Sequence, residues 1–410
     1  MTYQKKIYPW VLVALLWGVG LLNYLDRQML ATMRPAMQLD ITEIQSATNF
    51  GILMGIFMWI YGCMSPVAGI VADKINRKWL IIASLLVWSG VTFCMGYATT
   101  FRQLYWLRAV MGVSEALYIP AALALIADFH QKKTRSLAIG IHMTGLYLGS
   151  ALGGFGATVA ATYSWHFTFH SFGLIGIGYA FILLLFLKEN KTHSEEGTVQ
   201  KENGNLLHGL KTLLTNASFW IILLYFAAPS LPGWAAKNWL PTLFAKSLHL
   251  PMSEAGPMAT MTIAASSFVG VIFGGILSDK WIQKNMRGRI YTGAIGLALM
   301  IPSLLLLGFG NTVFSVMVAG ICFGAGYGIF DANNMPILCQ FVDTKYRATS
   351  YGLMNMVGVF SGAYVTELFG KATDDGHLGR SFAMLSVMVF TVLVIQFFFL
   401  KPKANNFADE

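Results

Sequence analysis

The chain has 410 residues, 56 % apolar and 11 % charged, with a net charge of +9 and a mean hydropathy of +0.59. Soluble domains carry roughly 25 % charged residues. The deficit excludes a disordered chain, a nucleic-acid-binding domain and a two-domain cytosolic enzyme as leading readings. The positive residues fall in short clusters between long apolar runs, which is a pattern of membrane topology rather than of polyanion binding.

Taken in order, the chain opens with Lys5 and Lys6 and an apolar run from Trp10, as a signal peptide does. The run passes Leu22, carries Asp26 and Arg27 and reaches Met33 without a small-x-small site, so it reads as a retained first helix. A spanning helix needs about 20 apolar residues. That rule predicts spans near 9–33, 46–71, 79–99, 102–128, 136–160 and 166–187. A hydrophilic stretch over 188–216 follows, then spans near 217–245, 255–278, 290–308, 312–341, 348–371 and 380–400. The expected fold is an all-α polytopic membrane protein of 12 transmembrane helices in two six-helix halves. The expected division is a bundle over 1–187, a linker over 188–216, a second bundle over 217–401 and a tail over 402–410.

Charge supports the count. Twenty of the 28 Lys and Arg residues fall on one side of this topology and five (Arg34, Arg102, Lys246, Lys371, Arg380) on the other; the remaining three lie inside spans. The skew places both termini and the linker in the cytoplasm. Cys63, Cys94, Cys322 and Cys339 sit in apolar stretches with no C-x-x-C and no histidine at metal-ligand spacing, so no disulfide and no metal site are expected.

The halves repeat. Gly69-x3-Asp73-Lys74 after the second span is echoed by Gly275-x3-Asp279-Lys280 after the eighth, 206 residues on. Phe129-x5-Arg135-x4-Gly140 is echoed by Phe341-x5-Arg347-x4-Gly352, 212 residues on. Two matches at nearly one offset indicate duplicated six-helix units.

Gly69-x3-Asp73-Lys74-x2-Arg77-Lys78 resembles the loop signature of the major facilitator superfamily. Asn23-Tyr24-Leu25-Asp26-Arg27, with Arg108-x3-Gly112-x2-Glu115-x4-Pro120, resembles the anion:cation symporter family, which includes bacterial uronate and aldonate transporters and sialin-like carriers. The same Asp-Arg and Arg-x6-Glu arrangement occurs in Spinster-type lipid transporters. The resemblance implies the two-bundle major facilitator fold. It also implies a cytoplasmic latch of Asp73, Lys74, Arg77, Asp128 and Arg135 that holds the outward-facing state.

Ionisable groups inside a span cost roughly 2.5–3.5 kcal/mol each on insertion scales, yet Asp26, Arg27, Arg108, Glu115, Lys237 and Asp331 stand there. Arg108 and Glu115, seven apart, share one helix face; Asn23 and Tyr24 share that of Arg27, with Asp26 turned about 100° away. A guanidinium suits an organic carboxylate, and a partly desolvated carboxyl group takes up a proton near neutral pH. Asn23, Tyr24, Arg27, Arg108, Lys237, Asn333, Asn334, Tyr351 and Asn355 are therefore expected to bind substrate, and Asp26, Glu115 and Asp331 to couple protons.

The function expected is proton-coupled uptake of a small organic anion, a hexuronate, aldonate or sialic acid, by alternating access. The carrier is expected to be a monomer in a bacterial inner membrane. A Spinster-like lysolipid carrier and a sodium-coupled sugar-acid carrier are the alternatives, the latter through the Asp331-x-Asn333-Asn334 cluster. No H-E-x-x-H, Gly-x-Ser-x-Gly or Walker loop is present, and no cofactor, nucleic-acid partner or enzymatic activity is expected.

Overall fold

The computed structural model describes residues 3–130, 132–189, 213–215, 217–342 and 347–400. Helices dominate, and no strand occurs among the described residues. The first half holds α1 (Tyr3–Met37), α2 (Ala47–Lys74), α3 (Arg77–Met95), α4 (Phe101–Ala116), α5 (Tyr118–Phe129), α6 (Lys132–Gly153), α7 (Gly156–Thr162) and α8 (Trp165–Phe186). The second holds α9 (Ala217–Leu248), α10 (Met252–Ile282), α11 (Gly288–Phe309), α12 (Val313–Asp331), α13 (Asn334–Phe341), α14 (Arg347–Asp374) and α15 (Leu378–Phe399). Eleven helical stretches are long and apolar enough to span a membrane. With α14, 28 residues long, there are 12 membrane helices, three of them broken into two segments: α4–α5, α6–α7 and α12–α13.

Two of the breaks have a proline behind them. Pro120 and Pro336 have no N–H to give to the carbonyls of Ala116 and Ala332, and their rings crowd those same oxygens. The turns tighten instead, with Leu117 N–H donating to Ser114 O and Asn333 N–H to Phe330 O. Glu115 and Asp331 each stand five residues before their proline, in Glu115-Ala-x3-Pro120 and Asp331-Ala-x3-Pro336, 216 residues apart. This is a third echo of the duplication, and it makes Asp331 the counterpart of Glu115.

Small residues set the helix spacing. In lipid there is no hydrophobic drive between helices, so close backbone approach must supply the packing. Gly145, Gly149 and Gly153 on α6 lie against the carbonyls of Trp17, Leu21 and Leu25 on α1; a Cβ at Gly145 would stand 2.6 Å from Trp17 O. Gly112 of α4 meets Phe57 O of α2 in the same way, at 2.7 Å. These approaches fix α1, α2 and α4 around one interior. Large apolar side chains such as Leu185, Phe186, Phe314 and Phe398 point outward, while Asn23, Asp26, Arg108 and Glu115 are buried inside.

The halves meet at the end of the bundle away from the termini. There a Cβ on Gly51 of α2 would stand 2.9 Å from Thr366 O of α14, and Trp59 Nε1 donates to Glu367 Oε1 at 2.8 Å. Asp374, the last residue of α14, accepts from the N–H groups of Ala47 and Thr48 at 2.7 and 2.9 Å and from the hydroxyls of Ser46 and Thr48. It thus caps the start of α2 from across the molecule, where a carboxylate also meets the positive end of the helix dipole. Gln28 to Lys237 O, Thr158 to Ser253 O and Thr260 to Ala151 O tie the same end. Toward the termini, Gly69, Gly140, Gly275 and Gly352 face open space. The contacts named between the halves thus gather at the end away from the termini.

Candidate functional site

The N-terminal half gathers its charged groups into one cluster. Arg27 Nε donates to Glu115 Oε2 at 2.5 Å, and Asn23 Nδ2 donates to the same oxygen at 3.0 Å. The Arg27 guanidinium also lies 4.6–5.0 Å from the ring centres of Tyr24, Phe57 and Tyr61, so aromatic faces hold it in place. Arg108 lies 4.5 Å from the centre of the Phe57 ring, which it shares with Arg27, and its Nη1 donates to the Met111 sulfur at 3.1 Å. No carboxylate among the described residues is hydrogen-bonded to it. Asp26 turns to α3, where Thr92 donates to its Oδ2 at 3.3 Å.

Several buried polar atoms of this cluster have no hydrogen-bond partner among the described residues. Two are donors, Arg27 Nη2 and Arg108 Nε; three are acceptors, Asn23 Oδ1, Asp26 Oδ1 and Glu115 Oε1. Each such atom costs about 1–3 kcal/mol of unrecovered desolvation. An anion would satisfy the donors, and a proton would satisfy acceptors.

In the second half Lys237 projects among the rings of Trp234, Tyr24 and Tyr327, at 4.6, 5.9 and 5.9 Å from their centres. It points inward, close enough to Asp331 for their charges to interact. Asn334 Nδ2 donates to Asp331 Oδ1 at 2.9 Å, repeating the pairing of Asn23 with Glu115. Asn333 is spent on its own helix, donating to Ile329 O at 2.8 Å. Tyr351 is 44 % exposed on α14, and Asn355 contacts Ser65 Oγ only at 3.5 Å.

Of the latch residues, Arg77 pairs with Asp128, and Arg135 donates to Ala127 O at 3.2 Å. The side chains of Asp73 and Lys74 lie outside the described residues. Glu189 closes the other side of this corner, accepting from the N–H groups of Arg77 and Lys78 at 3.1 and 3.0 Å.

Sequence reasoning missed Glu367, an acidic residue inside a predicted span, and Asp374 beyond its end. Hydropathy signalled the first; nothing local signals that Asp374 caps a helix 327 residues away. It weighed His170 as a packing histidine but missed its i, i+4 partner His166 on α8; the Nδ1 atoms of the two face the carbonyls of Phe93 and Gly96.

Solved structures share this architecture. A bacterial homologue of the human lysosomal transporter Spinster, in an inward-facing and occupied conformation, superposes with a TM-score of 0.79 at 18 % identity, covering 98 % of both chains. The nucleoside transporter NupG superposes with a TM-score of 0.73 at 16 % identity, covering 95 % of this chain and 100 % of that one. By sequence, the probable galactarate/D-glucarate transporter GarP of Escherichia coli is 24 % identical over 90 % of this chain and 89 % of its own. The sphingosine-1-phosphate transporter SPNS2 of Mus musculus is 25 % identical over 93 % of this chain and 74 % of its own. The Major Facilitator Superfamily model matches residues 16–366, taking in both proline-broken helices and the charged cluster between them, and the chain belongs to that family of membrane transporters.

Proposed function

We propose that the protein is a proton-coupled symporter that takes up a small organic anion, such as a sugar acid, into a bacterial cytoplasm by alternating access. The observation that carries this reading is the set of unpaired buried atoms: N–H donors on Arg27 and Arg108 beside bare acceptors on Asp26 and Glu115. The donors form a site for a carboxylate and the acceptors a site for a proton. Arg108, which meets a thioether and a phenyl ring and is hydrogen-bonded to no carboxylate among the described residues, is the primary anion ligand. Glu115 is the coupling acid, and Arg27 links the two. Lys237 and Asp331, whose opposite charges interact across the interior, face the other part of the substrate.

The name of one relative supports the substrate class: GarP is a probable galactarate/D-glucarate transporter. With both termini cytoplasmic, the end clasped by Asp374 faces outward, and Arg77, Asp128 and Arg135 belong to the cytoplasmic latch.

The test is transport into liposomes with and without a pH gradient, using labelled glucuronate, galactarate and gluconate. Wild type concentrates its substrate only with the proton gradient. Glu115→Gln, fixed in a neutral form, loses uphill uptake and keeps counterflow exchange. Uphill transport by Glu115→Gln would remove Glu115 from the coupling role. Transport driven by sodium in place of protons would move the cation site to the Asp331 cluster, and uptake of lysophospholipid alone would replace the substrate class.

A further inference from the structure

Asn23 and Glu115 share one hydrogen bond, and each keeps one buried oxygen bare. Asn23 Nδ2 donates to Glu115 Oε2 at 3.0 Å, while Asn23 Oδ1 and Glu115 Oε1 have no partner among the described residues. Both residues are 0 % exposed. A carboxamide and a carboxyl group present matching forks: each holds two hydrogen-bonding atoms on one carbon at nearly the same spacing. With the carboxyl ionised, only one bond can form across such a pair, because the second pair of atoms is acceptor against acceptor. With it protonated, Oε1–H donates to Oδ1 while Nδ2–H still donates to Oε2, and one proton satisfies both bare oxygens.

We propose that Asn23 is the residue that senses the protonation of Glu115, closing a two-bond acid–amide ring when the transported proton binds. It acts through Glu115 and is therefore a positioning residue, not the substrate ligand expected from its place on the Arg27 face. The proton comes from water as hydronium, whose O–H bond breaks as the Oε1–H bond forms; no other bond changes. The charged and titratable groups around Glu115 are Arg27, Asp26 and Tyr24 of α1, Tyr61 of α2 and Arg108 of α4. When Glu115 becomes neutral, Arg27 loses the only carboxylate it is bonded to among the described residues, and its charge joins that of Arg108 for an incoming anion. Asn23 thus holds the acid in the state that makes both arginines available. The inference rests on the proposed coupling role of Glu115.

The experiment is infrared difference spectroscopy of the full chain in lipid bilayers, titrated with acid alone. In wild type, acidification raises a protonated-carboxyl C=O band that is absent in Glu115→Gln. Asn23→Leu keeps the band and moves it to higher frequency, since the carbonyl loses an N–H donor and the hydroxyl loses its acceptor. In liposomes the same variant loses about tenfold in proton-driven uptake. Asn23→Ser, too short to close the ring, gives the same shift and guards against misfolding of the leucine variant. A band at the wild-type frequency in both Asn23 variants overturns the proposal and leaves Glu115 as the proton carrier. Absence of any band that depends on Glu115 overturns the proposal together with the coupling role beneath it.

Discussion

At the scale of single residues, the site separates the two arginines by what already touches them. Arg27 is paired with Glu115 and boxed by three aromatic rings; Arg108 has a sulfur and a phenyl face. The same guanidinium chemistry therefore serves two purposes, and conservative substitutions should tell them apart. Arg108→Lys replaces a planar fork with a point charge, and its affinity for the anion should fall by about tenfold or more with folding unaffected. Isothermal titration of the purified variant checks this, and an unchanged Kd would remove Arg108 from the anion site. Lys237→Gln should leave the N-terminal cluster intact and raise the apparent Km for substrates with two charged ends more than for simple monocarboxylates. A uniform effect on both would mean that Lys237 only balances Asp331.

At the scale of elements, two devices position the site: glycine contacts that draw helices together, and prolines that break them beside an acid. The stripe of Gly145, Gly149 and Gly153 brings α6 onto the backbone of α1 and so fixes the helix bearing Asn23, Asp26 and Arg27. Gly149→Leu should force these helices apart at a cost of about 1–3 kcal/mol or more, the range for overpacking a close contact. A lower melting temperature in detergent is the expected readout, and an unchanged one would show that α1 is held elsewhere. Pro120→Ala restores the missing N–H and permits a continuous α4–α5 helix. It should preserve melting temperature and substrate binding while slowing exchange, because the break lets the segment carrying Glu115 bend independently of its continuation. Exchange at the wild-type rate would reduce the proline to a packing feature.

At the scale of the whole molecule, the closed end is held by contacts that must part for the opposite state to form. Asp374 is central among them. Partial burial by itself would raise its carboxyl pKa, but the N–H groups of Thr48 and Ala47 and the hydroxyls of Thr48 and Ser46 outweigh that and hold it at about 2. A carboxyl lowered in this way stabilises the clasp fully above its free value of 3.8, and the contribution is lost as pH falls toward about 2. Closure of this end should therefore be the same at neutral and mildly acidic pH. Asp374→Ala, by contrast, should open it at any pH. Distances between spin labels at Glu43 and Asp375 measure both, and a wild-type distance that lengthened on mild acidification would assign the clasp to another group. The topology has its own check: a reporter fused after Lys201 should be cytoplasmic and one after Asp375 external, and finding both on one side would dismiss the twelve-span arrangement.

Membrane insertion is governed by local composition, because every buried backbone group in lipid must be satisfied within its own helix. Hydropathy, the Lys and Arg skew and the repeats at Asp73 and Arg135 were therefore enough to place the twelve spans, their duplication and the ionisable residues inside them. The pairing of those residues was not legible. That Asn23 turns to Glu115, that Arg27 rather than Arg108 is hydrogen-bonded to a carboxylate among the described residues, and that Lys237 points inward to Asp331 depend on how far α1, α2, α4, α9 and α12 rotate and approach. Glycine contacts between helices distant in the chain set that approach. The clasp of Asp374 on α2 lies further still from any local signal, since it joins the start of one helix to the end of another across the two halves. Which residues enter the membrane is a property of segments of about 20 residues; which of them meet, and which end of the bundle is closed, is decided only when the segments pack.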